Sequence, residues 1–168
     1  MKRAVFFDRD GVLNEDVGYL HKIEEFRWIE GARDAIKLCN DRDILVIVVT
    51  NQSGIARGLY TAHDVDVIHN FMQESLAEID AHIDAFYYCP HHPDGIIEGL
   101  NVECGCRKPK PGMILGACKS FDIDPTHAIL FGDTVRDIEA AAAAKLRAGI
   151  FFSGGNLFNA VKAELDKL

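Results

Sequence analysis

The sequence predicts an α/β fold: a three-layer, doubly wound, mostly parallel sheet with helices on both faces. Apolar runs of strand length alternate along the chain with longer runs of helical periodicity, and this alternation is typical of right-handed βαβ units. Two of the runs, 44–50 and 128–131, are apolar at nearly every position. Strands of that kind are buried on both faces, as a parallel sheet between two helical layers requires.

Five short runs are predicted to be strands. In chain order they read 3-RAVFFD-8, 44-ILVIVVT-50, 84-DAFYYC-89, 127-HAILFGD-133 and 147-RAGIFF-152. The first, second and fourth end in polar residues, which are Asp8, Thr50 and Asp133. These residues stand at the carboxyl ends of strands, where open α/β sheets bind their ligands.

Helical periodicity fills the intervals between the strands, over about 32–42, 62–82, 111–121, 135–145 and 156–167. In the longest helix the apolar residues recur at three- and four-residue steps, at Val65, Ile68, Met72, Leu76 and Ile79. Thr61 and Asp64 form a capping signature at its start. This apolar stripe is therefore predicted to pack in the core rather than against a cofactor.

Length and composition indicate one domain, spanning 1–168. A chain of 168 residues buries roughly 70% of the surface that its unfolded form exposes. Its 48% hydrophobic and 26% charged residues are those of a soluble globular protein. No run approaches the length of a membrane span and 4-AVFF-7 is too short for a signal-peptide core, so a cytoplasmic protein is expected. The net charge of -8 argues against a broad nucleic-acid surface.

The interval 89–110 fits no helix or strand. It contains Pro90, Pro93, Gly95, Gly99 and Gly105 and has little periodicity. A loop of this length inside a compact domain needs something to hold it in place.

Acidic residues gather at the predicted strand ends. The sequence there reads 6-FFDRDGVLN-14, 50-TNQSG-54 and 132-GDTVRD-137. Two carboxylates 4 Å apart repel each other by roughly 4 kcal/mol at an effective dielectric of 20, so such a cluster favours a bound cation. Oxygen ligands with open coordination positions favour Mg²⁺. Together with a Thr hydroxyl and a Lys, they indicate a site for phosphoryl transfer.

The cysteines of the long loop suggest what holds it. Cys89, Cys104 and Cys106, with His91 or His92, offer three thiolates and one imidazole. Tetrahedral Zn²⁺ takes such ligands in closed structural sites. The alternative is a reduced, metal-free loop. The other two cysteines, Cys39 and Cys118, lie in helical patterns and are expected to be buried apolar residues.

Four motifs, D-R-D-G-V-L-N, T-N-Q-S-G, K-P-K-P and G-D-x-x-x-D, follow one another in this order. Over about residues 4–150 the chain resembles the haloacid dehalogenase superfamily of phosphatases. The resemblance implies a Rossmann-like core and a phosphomonoester hydrolase that works through an aspartyl-phosphate with Mg²⁺. Because no insertion is long enough for a separate cap domain, an open site is expected, and a monomer with it.

The resemblance also implies roles for individual residues. Asp8 would be the nucleophile and Asp10 the general acid and base, with Thr50 and Lys108 binding the phosphoryl group, Asn51, Gln52 and Ser53 binding substrate, and Asp8, Asp133 and the backbone carbonyl of Asp10 holding Mg²⁺. For Asp137 two interpretations stay open. It reaches the metal through water, or it is a carboxylate that complements a helix N-terminus.

The chain also resembles a narrower group, the phosphatases of heptose bisphosphate and of histidinol phosphate. The resemblance lies in four segments: the long loop with its cysteines, the run C-R-K-P-x-P-G-M, 17-VGYLHKIEEF-26 and 50-TNQSGIARG-58. That resemblance implies removal of the 7-phosphate of D-glycero-D-manno-heptose 1,7-bisphosphate, with histidinol phosphate or another small phosphorylated metabolite as alternatives. It selects His91 as the zinc ligand and assigns Arg107 to substrate recognition. Lys110, between two prolines, is expected to be a solvated charge. Specificity would come from the zinc loop and residues 14–27.

Two other classes of protein share parts of this pattern. A phospho-accepting receiver domain also has acidic residues, a Thr or Ser and a Lys at the strand ends of a parallel sheet. However, Asp10 follows two residues after Asp8 and supplies the acid and base for rapid phosphoenzyme turnover, and zinc ligands have no place in such a domain. A zinc-knuckle nucleic-acid module is opposed by the acidic charge and by the size of the rest of the chain.

Overall fold

Five parallel strands form one sheet in the computed structural model, which describes residues 1–167. The strands are β1 (Lys2–Phe7), β2 (Leu45–Asn51), β3 (Ala85–Cys89), β4 (Ile123–Gly132) and β5 (Ala148–Phe151). The helices are α1 (Ala32–Asp41), α2 (Ala62–Ala77), α3 (Gly112–Phe121), α4 (Val135–Ala143) and α5 (Leu157–Leu165), and a short 3₁₀ turn covers Ile23–Glu25. Residue 168 of the predicted range 1–168 lies outside the described residues.

The strand order across the sheet is β3-β2-β1-β4-β5, and every neighbouring pair is parallel. The chain builds outward from β1 to β3 on one side and then crosses to β4 and β5 on the other. Ligands bind open α/β sheets where the strand order reverses. Here that point is the carboxyl edge between β1 and β4.

Both faces of the sheet are buried. Alternate residues of β1 belong to different cores, Val5 and Phe7 to one and Ala4 and Phe6 to the other. Residues of α1, α2 and α5 complete the first core, and residues of α3 and α4 complete the second. This confirms the predicted three-layer, doubly wound sheet. The described residues contain a single sheet, and none of them forms a separate cap.

The predicted strands and helices are present, but two boundaries were wrong. α2 begins with the predicted capping box of Thr61 and Asp64 and ends at Ala77, earlier than the predicted 82. Asp80 has a left-handed φ of 56°, and the chain there turns out of the helix. β4 begins before the predicted residue 127, because Ile123 already pairs with Lys2 across a shift in register.

The long loop lies against the turn that follows β2. Residues 90–111 contain turns and bends but no helix or strand. The carbonyl of Ala56 accepts hydrogen bonds from the backbone N–H groups of Ile96 (2.7 Å) and Ile97 (3.0 Å). Gly95 fits beneath the same turn, since a Cβ on it would meet the Ala56 carbonyl oxygen at 2.6 Å. Loop and turn are thereby fixed to each other at the carboxyl edge of the sheet.

Cys39 and Cys118 are buried in the two cores, as predicted. None of the described helices has both the length and the apolar character needed to cross a membrane.

Candidate active site

An open cavity of about 290 Å³ lies at the carboxyl edge of β1, β2 and β4. Asp8 reaches it from the end of β1, Thr50 from β2, and Asp133 from the end of β4. Lys108 enters from the long loop. The parallel order of the three strands therefore brings together residues that are far apart in the sequence, as strand-end placement predicts.

Lys108 is the central cation of this cavity. Its side chain is 3% exposed, and its Nζ contacts Asp8 Oδ1 at 2.9 Å, Asp137 Oδ1 at 2.6 Å and the Val49 carbonyl oxygen at 2.8 Å. Burial opposes the charge of Lys108, but Asp8 and Asp137 outweigh it and raise the pKa of the ammonium above its usual value. The three N–H bonds of the ammonium are thus all occupied by protein acceptors.

Asp137 serves the helix and the lysine at once. While its Oδ1 contacts Lys108, its Oδ2 accepts hydrogen bonds from the backbone N–H groups of Asp133 and Thr134, both at 3.1 Å, and from the Thr134 hydroxyl. The bond from the Thr134 N–H is part of the capping box of α4, in which Thr134 is the N-cap and Asp137 the third helical residue. Gly132 leaves room for this carboxylate, because a Cβ on it would overlap the Asp137 side chain. The structure thus supports the helix N-terminal interpretation of Asp137, whose Oδ2 accepts from the N–H groups at the start of α4.

Three carboxylates of the cavity can hold a cation. Asp8, Asp133 and Asp137 each offer an oxygen, and these oxygens lie within 4.8 Å of one another. Burial raises the pKa of Asp8 to about 7 despite the charge of Lys108, and burial also raises the pKa of Asp133. Gly11 admits the Asp133 carboxylate, which occupies the place of a Cβ. Buried carboxylates that resist ionisation in this way fit Mg²⁺, which favours their charged form.

Asp10 is held by groups that favour its ionised form. Arg9 contacts both of its oxygens, at 3.0 and 3.2 Å, while Asn14 and Gln52 donate to one oxygen each at 3.0 and 3.1 Å. Burial acts to raise the pKa of Asp10, but the Arg9 charge and these hydrogen bonds outweigh it and lower that pKa below its usual value.

Two buried residues, Arg9 and His69, support Asp10, although the sequence analysis assigned neither of them a role. Arg9 is fully buried, and its Nη1 lies 3.2 Å from Nε2 of His69. The His69 ring stacks on Phe86 with centroids 4.1 Å apart. Burial, and next the charge of Arg9, lower the pKa of His69 to about 3, so a neutral imidazole accepts the arginine N–H. A histidine within the apolar stripe of α2 was the available signal.

The side chains that follow β2 have protein partners. Asn51 accepts from the backbone N–H of Lys108 at 3.0 Å and donates to the Lys108 carbonyl at 3.1 Å. Gln52 donates to Thr50 Oγ1 at 2.9 Å as well as to Asp10, and its carbonyl accepts from the Tyr60 hydroxyl. These bonds make Asn51 a support for the Lys108 backbone and Gln52 a support for Thr50 and Asp10. Ser53 lines the cavity and is half-buried.

The cysteine cluster lies beside this cavity. Its ligand atoms belong to Cys89, His91, Cys104 and Cys106 and lie within 4.8 Å of one another. The three sulfur atoms are 3.1 to 3.5 Å apart. A tetrahedron with Zn–S bonds of about 2.3 Å has sulfur–sulfur edges of about 3.8 Å, so outward shifts of a few tenths of an ångström would admit the ion. The residues thus fit Zn²⁺.

His92 stands apart from the cluster. Its ring lies beside Arg57, and its Nδ1 accepts from the backbone N–H of Asp94 at 3.0 Å. The neighbouring His91 directs its Nδ1 to the sulfur atoms of Cys89 and Cys106, at 3.5 and 3.4 Å. The structure therefore places His91, not His92, among the candidate ligands.

Arg107 connects the cysteine cluster to the cavity. Its backbone N–H donates to the sulfur of Cys104 at 3.3 Å, and its side chain lines the cavity. Burial lowers the pKa of Arg107, and the charges of Arg136 and Arg57 lower it further. Lys110 points elsewhere, toward the Cys104 carbonyl and the exposed Glu103.

Comparison with known proteins places the chain among hydrolases. The sequence model of a family described as haloacid dehalogenase-like hydrolase matches residues 14–145. This segment includes the long loop and the Asp133 and Asp137 motif but begins after Asp8 and Asp10.

The individual relatives are more specific. The D-glycero-beta-D-manno-heptose-1,7-bisphosphate 7-phosphatase of Haemophilus influenzae is 44% identical over 155 residues, which are 92% of this chain and 84% of that protein. The phosphatase of the same name from Escherichia coli strain K12 is 44% identical over 143 residues, covering 85% of this chain and 75% of its own. The solved structure of D,D-heptose 1,7-bisphosphate phosphatase from B. bronchiseptica, complexed with magnesium and phosphate, has a TM-score of 0.82 and 32% identity and covers 100% of both chains.

The buried His69 predicts a specific dependence of stability on pH. Its pKa of about 3 in the folded state lies below the ordinary value of 6.5, so the unfolded chain binds a proton first as the pH falls. Its contribution to stability is therefore complete above pH 6.5 and is lost progressively below it. At pH 5.0 the loss amounts to about 2 kcal/mol.

Urea unfolding at pH 7.5 and pH 5.0 measures this loss as the difference between the wild type and His69→Gln, which keeps an acceptor for Arg9 but does not titrate. His63→Gln, which changes an exposed histidine on the same helix, is the matched control and should follow the wild type. Equal acid sensitivity of His69→Gln and the wild type would contradict the assignment of a neutral, buried imidazole.

Proposed function

This chain belongs to the haloacid dehalogenase-like hydrolases and is a phosphatase, and on that basis we propose that it removes the 7-phosphate of D-glycero-β-D-manno-heptose 1,7-bisphosphate. The observation that carries the reaction type is the contact of Asp8 with Lys108 at the base of an open cavity. The 44% identity to the Haemophilus influenzae enzyme supports the substrate. The product would be the heptose 1-phosphate.

The proposed reaction has two steps at one phosphorus atom. A carboxylate oxygen of Asp8 attacks the phosphorus, the bond to the sugar oxygen breaks, and Asp10 gives its proton to that oxygen. Asp10 then removes a proton from a water molecule that attacks the aspartyl-phosphate, which releases inorganic phosphate and restores Asp8. Asp8, Asp133 and the backbone carbonyl of Asp10 would hold Mg²⁺, which supplies positive charge to the phosphoryl oxygens.

Lys108 and Thr50 are proposed to bind the transferring phosphoryl group. A phosphoryl oxygen can replace Asp8 as the third acceptor of the Lys108 ammonium, while Asp137 and the Val49 carbonyl keep the other two. The Thr50 hydroxyl oxygen accepts from Gln52, so its own hydrogen remains available for a phosphoryl oxygen. Hydrogen bonds to the charge spread over these oxygens stabilise the transition state.

The environment of Asp10 changes when substrate binds, and this change supports its action as the general acid of the first step. Its lowered pKa keeps it ionised at neutral pH before substrate binds. A phosphate monoester carries negative charge, and a like charge beside a carboxylate raises its pKa. Substrate would thus supply the condition under which Asp10 can hold the proton needed by the leaving sugar oxygen.

The other expectations from the sequence complete the proposal. Zn²⁺ at Cys89, His91, Cys104 and Cys106 would be structural, because the ligand set is complete without an open position. We expect a monomer in the cytoplasm, with a small phosphorylated metabolite as its partner. The open cavity of about 290 Å³ suits such a ligand.

Asp8→Asn tests the mechanism. Amide nitrogen cannot replace the carboxylate as nucleophile, so kcat should fall by about a thousandfold or more. The fold should persist, because Asp137 still pairs with Lys108. Phosphate release, thermal melting and bound zinc are measured on the same preparation. Activity above about a tenth of wild type would exclude Asp8 as the nucleophile.

The lifetime of the phosphoenzyme in the wild type separates a phosphatase from a receiver domain. A lifetime of hours would favour a receiver domain.

A substrate panel tests the specificity. We expect kcat/KM for heptose 1,7-bisphosphate to exceed that for histidinol phosphate and for sugar monophosphates by about a hundredfold. Phosphate release is followed for each compound under identical Mg²⁺. A preference for histidinol phosphate would assign the chain to the alternative substrate while leaving the mechanism intact.

Cys104→Ser tests the structural role of the cluster. Loss of one thiolate should release zinc and lower kcat/KM by about tenfold or more, because Arg107 donates to that sulfur and precedes Lys108. Cys118→Ala, which changes a cysteine of α3 outside the cluster, should retain zinc and activity. Full activity in a zinc-free Cys104→Ser enzyme would contradict the proposed role.

A further inference from the structure

Arg107 and Arg136 stand at the boundary of two adjoining cavities. Both residues, with Lys108, line the cavity that holds Asp8 and a second one of about 390 Å³ beneath the long loop. We propose that Arg136 acts together with Arg107 as the receptor for a second anionic group of the substrate and thereby selects bisphosphates over monophosphates. This inference rests on the proposed phosphatase function and adds a specificity-determining residue, Arg136, to it.

The arginines lack the anionic partners that they would be expected to have. Among the described residues, no carboxylate lies within 4.0 Å of Arg57, Arg107 or Arg136, although the chain carries a net charge of -8. Nη1 of Arg107 is buried and has no hydrogen-bond partner. A buried donor without a partner is costly, and an anion at this boundary would satisfy it.

Three separate segments bring these positive charges together. Arg57 follows β2, Arg107 belongs to the long loop, and Arg136 lies in the first turn of α4. Arg107 and Arg136 line the same two cavities, so their like charges face the same space and repel each other. A fold that maintains repelling cations beside its reaction cavity concentrates positive potential there, which attracts an anionic ligand.

The position of Arg107 and Arg136 suits a substrate with phosphates at both ends of a small sugar. Arg107 directly precedes Lys108, whose Nζ contacts Asp8. A substrate whose reacting phosphate lies at Asp8 and Lys108 would therefore bring its other end toward Arg107 and Arg136. Three exposed acids also line the cavities, Asp16 the first and Asp94 and Glu103 the second. They would repel an anion placed beside them, whereas Arg107 and Arg136 would attract it.

The experiment compares Arg136→Gln with the wild type on matched pairs of substrates. One pair is heptose 1,7-bisphosphate and heptose 7-phosphate, and the other is fructose 1,6-bisphosphate and fructose 6-phosphate. Loss of the charged hydrogen bonds should lower kcat/KM for the bisphosphates by about 10- to 100-fold, mostly through KM, and change it for the monophosphates by less than about threefold. Arg136→Lys, which keeps the charge but not the planar fork, should fall between.

Lys119→Gln is the control for net charge, because it removes one exposed cation that lines neither cavity. An equal effect of Arg136→Gln on both members of each pair, or no effect on either, would contradict the proposed role of Arg136 in binding the second anionic group. The deciding quantity is the ratio of kcat/KM for the bisphosphate to kcat/KM for the monophosphate within a pair, not the absolute turnover of heptose 1,7-bisphosphate. Poor turnover of heptose 1,7-bisphosphate with an Arg136-dependent ratio for the fructose pair would reject the proposed substrate and retain the receptor.

Discussion

The ion cluster of Lys108 with Asp8 and Asp137 is the interaction on which the site depends. It joins the end of β1, the end of the long loop and the first turn of α4 in one buried contact. Removing one partner from a buried ion pair typically costs about 3–5 kcal/mol, because a charge is left without compensation. The loop therefore cannot leave the sheet without exposing or isolating a charge.

This requirement explains why the loop is anchored at several points. Asn51 binds both the N–H and the carbonyl of Lys108, so β2 sets the position of the lysine backbone. The Ala56 carbonyl holds the middle of the loop, and the cysteine cluster joins its two ends. Since residues 90–111 form no helix or strand, these contacts replace the backbone ladder that positions the other site residues.

The parts of this structure that follow from local patterns could be predicted from the sequence. Apolar runs and their spacing predicted the strands, the layers and the strand ends where Asp8, Thr50 and Asp133 meet. The limits of α2 and β4 could not be predicted, because they depend on a left-handed residue at Asp80 and a register shift in the sheet. The contact of Asn51 with Lys108 joins residues 57 positions apart, and no periodicity in the sequence encodes it.

Charge is separated over short distances within the site, and the separation follows from the fold. Carboxylates lie at the ends of β1 and β4, where a divalent cation can neutralise them, whereas the arginines come from the loop, the turn after β2 and α4. Three thiolates and a neutral imidazole around Zn²⁺ would leave a net charge of about -1 beside Arg107. That negative charge would partly balance the positive charges of Arg57, Arg107 and Arg136 without forming hydrogen bonds to their side chains. The loop can thus place a cation at the cavity wall and leave its donors free for an anionic ligand.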